Sequence, residues 1–187
     1  MRVFVAATCL VLCTIVVAQN GGAQGKKKKD TDLGPAKKED VPKYINMLTK
    51  AQDASTRAAG AEMLGKRGSI QVNDVKDAIP LLQKSATKDI DSKVRRAAVD
   101  ALGEIATDPE GSVPILTEAM KDKALEVQLA AIASLGAYGP EARSALTELK
   151  NFQKTWTDKK DDKQFKNIMK LVSDTRNKIL ATPKKNN

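Results

Sequence analysis

The sequence predicts an all-α fold, an α-solenoid of about three antiparallel helix pairs followed by an atypical closing unit. Two signatures recur: a proline just inside an apolar start, and an alanine-rich stretch that ends in Leu-Gly. The prolines and the closing glycines are separated by 23, 23 and 22 residues, in the pairs Pro42–Gly65, Pro80–Gly103 and Pro114–Gly136. Stacked repeats have such fixed interiors and variable links. Aromatic residues make up only 3% of the chain, which favours helices over aromatic-rich strands.

Each unit is predicted to contain two helices. Proline is tolerated in a first helical turn, where its missing N–H has no intrahelical partner. In unit two the inward side of the first helix is predicted to hold Ala78, Leu81, Leu82 and Ser85. The second helix has one apolar stripe at helical spacing: Val94, Ala97, Ala98, Ala101, Leu102 and Ile105. Gly103 is predicted to interrupt this stripe near the helix end, and Asp108, Pro109 and Gly111 are predicted to form a loop.

The stretch Val94–Ile105 resembles the second helix of a HEAT repeat of the short phycobilisome-lyase-like class, as does the junction Leu135–Leu146. Ser144 stands where that class has the proline of the next unit, so a fourth unit begins without its proline. The resemblance extends from Val41 to about Lys150. It implies a HEAT-type solenoid, is specific for fold, and is nearly silent on function.

The resemblance also implies which face is available to a partner, because second helices line the concave side of a HEAT solenoid. The candidate partner-binding residues on that face are Lys93, Arg96, Asp100, Glu104, Leu129 and Ala133. HEAT repeats often carry an arginine ladder, for which Arg57 and Arg95 are the arginines and Asp53 and Asp91 the matching aspartates. Gln128 takes the third slot of that ladder.

The closing unit departs from the repeat. Its first helix is expected to run to about Trp156, and a long second helix to carry Phe165, Ile168, Met169, Val172 and Ile179 on one side. No Leu-Gly occurs at 167, where the repeat spacing would place it. The second helix of unit three is apolar nearly all round, so either the closing unit or a partner must cover Leu129 and Ala133. Cover by Phe152, Trp156 or Phe165 is favoured. Trp156 is expected to lie in the core, and if exposed it would be the best single anchor for a partner.

The chain begins like an exported protein. Residues 1–18 have a positive start, an apolar run and small residues before Gln19, as a signal peptide does. Both cysteines, Cys9 and Cys13, lie in this run, so cleavage would leave a cysteine-free protein in the periplasm or outside the cell. Residues 19–40 are predicted to be a flexible Lys/Gly-rich linker, residues 41–182 the solenoid and residues 183–187 a disordered tail.

Most catalytic chemistry is excluded by composition. The chain has no histidine, so Ser-His-Asp and Cys-His sites and the usual zinc and haem ligands are missing. Neither Asp89 with Asp91 nor the group Asp158, Asp161 and Asp162 has calcium-loop spacing, and helix capping explains both. We therefore expect no enzyme, no cofactor and no metal.

The sequence leaves three functions open. The favoured one is an exported protein-interaction scaffold that binds a protein or peptide on the concave face. The second is attachment to anionic lipid or polysaccharide through Lys26, Lys27, Lys28 and Lys29. A HEAT-like enzyme or nucleic-acid binder is disfavoured, because the net charge of residues 41–183 is only +4 and no residue set matches a known active site.

Overall fold

The computed structural model describes residues 35–181. The predicted signal peptide, its two cysteines, Lys26–Lys29 and the tail at 183–187 lie outside the described residues. Within residues 35–181 every α-helix or 3-10 helix is joined by turns and no strand occurs, which confirms the all-α prediction. The α-helices are α1 (Val41–Lys50), α2 (Ala54–Ile70), α3 (Ile79–Lys88), α4 (Ser92–Ile105), α5 (Pro109–Ala119), α6 (Leu125–Tyr138), α7 (Leu146–Thr157) and α8 (Phe165–Leu180).

The eight described helices pack as consecutive pairs in two layers. Each odd-numbered helix packs on the even-numbered helix that follows it. The even-numbered helices also pack on one another in the order α2, α4, α6 and α8, and these contacts are more extensive than those between α3 and α5. This is the arrangement of an α-solenoid, in which each repeat buries its apolar side against its neighbours.

The apolar stripe predicted for α4 forms the centre of the core. All six of its residues are buried, together with Val99 and Arg95. On α3 the buried side is centred on Ile79, Leu82 and Ala86, while Leu81 and Ser85 are only half-buried. The predicted inward side of that helix is therefore rotated slightly from the observed one.

The third unit begins earlier than its proline suggests. Asp108 and Pro109, predicted to be loop, are the N-cap and first residue of α5. The Asp108 carboxylate accepts hydrogen bonds from the Gly111 backbone N–H (3.3 Å) and from Gln83 Nε2 (2.9 Å). Because a capped start with proline in the first turn is favourable, the helix extends a full turn before Pro114.

The Leu-Gly glycines lie at the contacts between consecutive second helices. A Cβ at Gly65 would lie 2.8 Å from the Ala101 Cα, and one at Gly103 would lie 2.4 Å from the Ser134 Oγ. At Gly136 the nearest atoms, in Lys178 and Thr175, would be 3.4 Å away. Gly103 therefore does not interrupt the helix; it removes a side chain that would separate α4 from α6.

Hydroxyl groups connect the same row of helices. Ser134 Oγ on α6 donates to the Val99 carbonyl on α4 (3.0 Å), and Thr175 Oγ1 on α8 donates to the Ile132 carbonyl on α6 (3.1 Å). Ser134 and Thr175 thus occupy equivalent places, each beside the glycine of the preceding unit. Gly136 follows Ser134 by two residues, so the equivalent position in the closing unit is near residue 177. The repeat spacing had indicated 167.

An arginine ladder joins the turns of neighbouring units, but its aspartates are not the predicted ones. Arg57 binds Asp89 through two hydrogen bonds (2.8 and 2.9 Å), and Arg95 binds Asp122 in the same way (2.6 and 2.8 Å). The predicted partners are helix N-caps: Asp53 accepts from the Thr56 N–H and Asp91 from the Lys93 N–H, each at 2.8 Å. These two carboxylates cap their own helices, and the arginines form their paired hydrogen bonds with Asp89 and Asp122.

Glutamine ends the ladder at unit three. Arg95 Nη1 donates to the Asp89 carbonyl (2.9 Å) within its own unit, while Nε and Nη2 donate to Asp122. Gln128 Nε2 donates to the Asp122 carbonyl, the equivalent of that internal bond. Gln128 thus keeps the hydrogen bond within its own unit. Among the described residues it binds no aspartate of the following unit.

The closing unit packs beside α6 in the row of second helices. Ile168, Val172, Thr175 and Ile179 of α8 are buried. Trp156 is 5% exposed, with its ring centroid 6.4 Å from that of Phe152, so its predicted core role is correct. Because α8 continues the row and does not lie over it, the predicted cover of Ala133 is wrong: Ala133 is exposed, and Leu129 is half-buried.

The end of the predicted linker is attached to the solenoid. Residues 38–40 form a 3-10 turn before α1, and Ala36 packs against the core. Lys38 Nζ lies 3.2 Å from the Asp74 carboxylate, which Arg67 at the end of α2 also binds. The folded solenoid therefore includes residues before Val41, at the same end as the C-terminus of α2.

Candidate partner-binding groove

The outward stripe of the second helices forms a mixed polar and apolar surface, which we call the second-helix face. On α4 it consists of Lys93, Arg96, Asp100 and Glu104, and of these only Asp100 is partly buried. Equivalent positions on α2 carry Glu62 and Lys66, and those on α6 carry Leu129, Ala133 and Ala137. These side chains point away from the core because they alternate at helical spacing with the buried stripe.

An open groove of about 380 Å³ lies on this face, toward the C-terminal ends of α2, α4 and α6. Its α2 and α4 walls are polar, and its floor above α6 is made of small residues. The full lining is Glu62, Lys66, Asp100, Gly103, Glu104, Ala133, Ser134 and Ala137. The groove exists because α4 presents long side chains at the slots where α6 presents alanines.

The acidic side chains of the groove have defined positions. Asp100 is 3.4 Å from Arg96 in a pair one helical turn apart, with the two side chains 41% and 58% exposed. Glu104 leans toward α2, where its Oε2 lies 2.7 Å from the place a Cβ would occupy at Gly65. The absent side chain of Gly65 thus makes room for a carboxylate as well as for close helix packing.

The pKa values of two groove carboxyls are raised. Burial raises the pKa of Asp100, Glu62 adds to the effect, and Arg96 opposes it. Burial likewise raises the pKa of Glu104, with Asp100 and Glu62 adding to it and Lys66 opposing. Partial desolvation and mutual repulsion both disfavour the charged form of a carboxyl, so this groove holds negative charge at a cost in stability.

The structure separates the six predicted site residues into two sets. Asp100, Glu104 and Ala133 line the groove. Lys93, Arg96 and Leu129 lie on the same face, nearer the N-terminal ends of the helices. Glu62, Lys66 and Ala137 also line it; they could have been found from the sequence, because they occupy the slots of Asp100 and Glu104 in the neighbouring units. Their binding role stays a prediction.

The described part of the chain shows neither a metal site nor a membrane-spanning helix. In residues 35–181 no cluster of His, Cys, Asp or Glu side chains is suited to a metal ion. The carboxylate of Asp89 is bound by Arg57, and that of Asp162 accepts from the Gln164 N–H (2.7 Å). None of the helices in that range has the length and apolar character needed to span a bilayer.

The fold and the groove together define a helical-repeat protein with an extended surface along its second helices. The profile of HEAT repeats matches residues 41–136 and, overlapping them, residues 91–151. The chain therefore belongs to the HEAT-repeat family. Such a scaffold fold is typical of protein interaction.

Solved structures agree with this assignment at the level of fold. An engineered protein superposes with a TM-score of 0.56 at 23% identity over 75% of this chain, and the match spans 62% of that protein. The complex of CpcE and CpcF of phycocyanin lyase from Nostoc sp. PCC7120 gives a TM-score of 0.56 at 20% identity, covering 71% of this chain and 79% of the other. No curated protein matches the sequence.

Proposed function

We propose that this protein is a non-catalytic interaction scaffold, exported to the periplasm or beyond the cell, that binds a protein partner on the second-helix face. The observation that carries the proposal is the open groove, because it lies on the face that the repeats leave free.

The chemistry of the chain supports a binding role. It has no histidine to act as a general base near neutral pH. Its ladder aspartates are bound by arginines, and Trp156 is buried in the core. The groove offers carboxylates and small apolar side chains to a partner.

Export is the second part of the proposal and rests on residues 1–18. We expect the mature protein to begin at Gln19 and to be recovered from the periplasm or the culture fluid. N-terminal sequencing of the protein from fractionated native cells measures both. A protein that retains Met1 and fractionates with the cytoplasm would contradict export but would not bear on binding in the groove.

Affinity capture from native cells tests the binding role. The tagged full chain should recover one stable partner from envelope or culture fluid. Ala133→Gln, which fills the floor of the groove, should reduce recovery by at least about tenfold, as expected for a central interface position. The control is Glu118→Gln, a change at an exposed position of α5 in the other layer.

The variants must first be shown to fold by circular dichroism and urea unfolding. Equal recovery by Ala133→Gln, Glu118→Gln and the unaltered protein would contradict binding in the groove. Binding to anionic vesicles that depends on Lys26–Lys29, with no protein partner recovered, would instead favour attachment to a surface.

A further inference from the structure

We propose that the groove binds a cationic segment of the partner, with a lysine or arginine side chain among Glu62, Asp100 and Glu104 and small side chains over Ala133 and Ala137. This inference rests on the proposed function and specifies the chemistry of the partner. It requires no covalent step. Four observations support it: the sign of the groove, the availability of its carboxylates, the shape of its floor and its electrostatic cost.

The groove has the opposite sign to the protein around it. Residues 41–183, which contain the groove, have a net formal charge of +4. The groove lining contains three carboxylates and a single lysine, Lys66. A local negative surface on a positive body attracts a cationic segment while the remaining surface repels cations that bind less specifically.

The groove carboxylates are available to a partner, whereas those of the ladder are not. Asp89 and Asp122 each accept two hydrogen bonds from an arginine. Among the ion pairs of residues 35–181, none within 4.0 Å involves Glu62 or Glu104. Asp100 has only its exposed pair with Arg96, and such pairs contribute little. A guanidinium or ammonium entering the groove would gain charge-assisted hydrogen bonds without displacing a strong one.

The floor of the groove selects small side chains around the charge. Gly103, Ala133 and Ala137 leave no side chain longer than a methyl group, and Ser134 is turned to the Val99 carbonyl. Glu104 leans over α2 and leaves the space above α6 open. The backbone of a partner segment can therefore approach α6 closely when its neighbouring residues are glycine, alanine or serine.

The electrostatics of the free groove point the same way. Burial and neighbouring carboxylates raise the pKa of both Asp100 and Glu104. A bound cation would relieve the repulsion that contributes to this effect. Part of the binding free energy would thus come from removing an unfavourable interaction already present in the free protein.

Selection from a random dodecapeptide library displayed on phage tests this chemistry with the full chain. Peptides are selected on the unaltered protein and then measured individually by fluorescence anisotropy. The matched variants are Asp100→Asn with Glu104→Gln in the groove, and Glu110→Gln with Glu118→Gln on α5. Each pair removes two negative charges, and both α5 positions are exposed.

We expect the selected peptides to be rich in lysine or arginine next to small residues. Their affinity should fall at least about tenfold in the groove variant and change less than about twofold in the α5 variant. Equal losses in both variants would mean general attraction between charges and would overturn the inference.

A third variant, Ala133→Gln, separates this inference from the proposed function. Neutral or acidic peptides that Ala133→Gln blocks would preserve the groove as a binding site and overturn its preference for cations. Selected peptides that neither Ala133→Gln nor the groove charge variant weakens would contradict both.

Discussion

Arg95 shows how strongly a single residue can hold one repeat to the next. Arg95 is only 4% exposed, yet its guanidinium donates hydrogen bonds to an aspartate of the neighbouring unit and to two carbonyls of its own turn. A buried charge is tolerated when its hydrogen-bonding capacity is satisfied in this way. Removing one partner leaves the other buried and unpaired, which costs more than the intact pair contributes.

The adjacent residues Arg95 and Arg96 therefore differ sharply in their importance for folding. We expect Arg95→Gln to lower the free energy of unfolding by about 2–4 kcal/mol, because Asp122 loses its partner. Arg96→Gln should change it by less than about 0.5 kcal/mol, since the Arg96–Asp100 pair is exposed. Urea unfolding at pH 7 measures both, and equal losses would contradict the ladder.

The aspartates of the ladder and those of the groove have opposite effects on the pH dependence of stability. Hydrogen bonds from Arg95 lower the pKa of Asp122. For Asp89 burial alone would raise the pKa, but Arg57 and the Asp91 N–H lower it overall. Their contribution is complete above the unfolded pKa of about 3.9 and is lost as the pH falls through the lower folded value.

Asp100 and Glu104 have the opposite sign, because their folded pKa values are raised. The folded state then holds protons that the unfolded state has released, so stability falls as the pH rises from about 4 through the folded pKa values. We expect the urea midpoint to increase when the pH is lowered from 7 to 5, and to increase less in Asp100→Asn with Glu104→Gln. An identical increase in the variant would refute this assignment.

Residue identity allowed half of the ladder to be predicted. Arg57 and Arg95 follow from their equivalent places in the repeat. Their partners did not, because aspartates in the same turns have two possible uses, capping a helix or binding an arginine. Only the three-dimensional path of the turn shows that Asp91 accepts from the first turn of its own helix while Asp89 accepts from Arg57.

At the scale of helices, the glycines of the repeat set the spacing between second helices. Gly103 allows Ser134 to pack against the α4 backbone, and Gly136 has a looser neighbour in α8. The two glycines have the same place in the sequence motif, so they form a matched pair of positions. Their different surroundings predict different responses to the same added methyl group.

We expect Gly103→Ala to destabilise the protein by about 1–3 kcal/mol, because overpacking would push Ser134 and α6 away. Gly136→Ala should be neutral or stabilising by up to about 1 kcal/mol, because alanine is the better helix former and its methyl group would lie 3.4 Å from its neighbours. Thermal and urea unfolding of the two variants measure the difference, and a larger loss at Gly136 would count against this packing.

Helix identity was predictable from the sequence to the extent that the repeat was regular. Proline, alanine and Leu-Gly spacing placed α1 to α4 and α6, and the apolar spacing placed α7 and α8. The start of α5 was missed because Asp108-Pro109 is compatible with either a loop or a capped helix start. The position equivalent to the Leu-Gly glycine, near residue 177, was missed in the closing unit. There Thr175 makes the contact with α6 and no Leu-Gly occurs.

For the whole molecule, the principal consequence of the fold is that the outward face of its second helices is left uncovered by the rest of the described chain. The closing unit extends this row through α8 and leaves Ala133 exposed beside the carboxylates of α4. Sequence reasoning identified the face and three of the groove residues, but it could not decide whether α8 would lie over α6 or beside it. That choice depends on packing between distant segments, which local periodicity does not encode.

A cationic partner would give binding a marked dependence on salt. Attraction to exposed carboxylates is screened over about 8 Å at physiological ionic strength and over about 3 Å at 1 M. We therefore expect the affinity for a captured partner or selected peptide to fall steadily as sodium chloride is raised, measured by anisotropy. An affinity that increases with salt would indicate mainly apolar binding and would contradict the proposed role of the carboxylates.

Site-specific photo-cross-linking in native cells tests most directly whether the second-helix face binds a protein. A photoreactive residue replaces Lys93, which lies on the face outside the groove lining, or Glu118 on α5 as the control. We predict a single covalent adduct with a protein from position 93, its loss when Ala133→Gln is added, and no adduct from position 118. Equal adducts from both positions, or an adduct from position 93 that Ala133→Gln does not weaken, would contradict binding on this face.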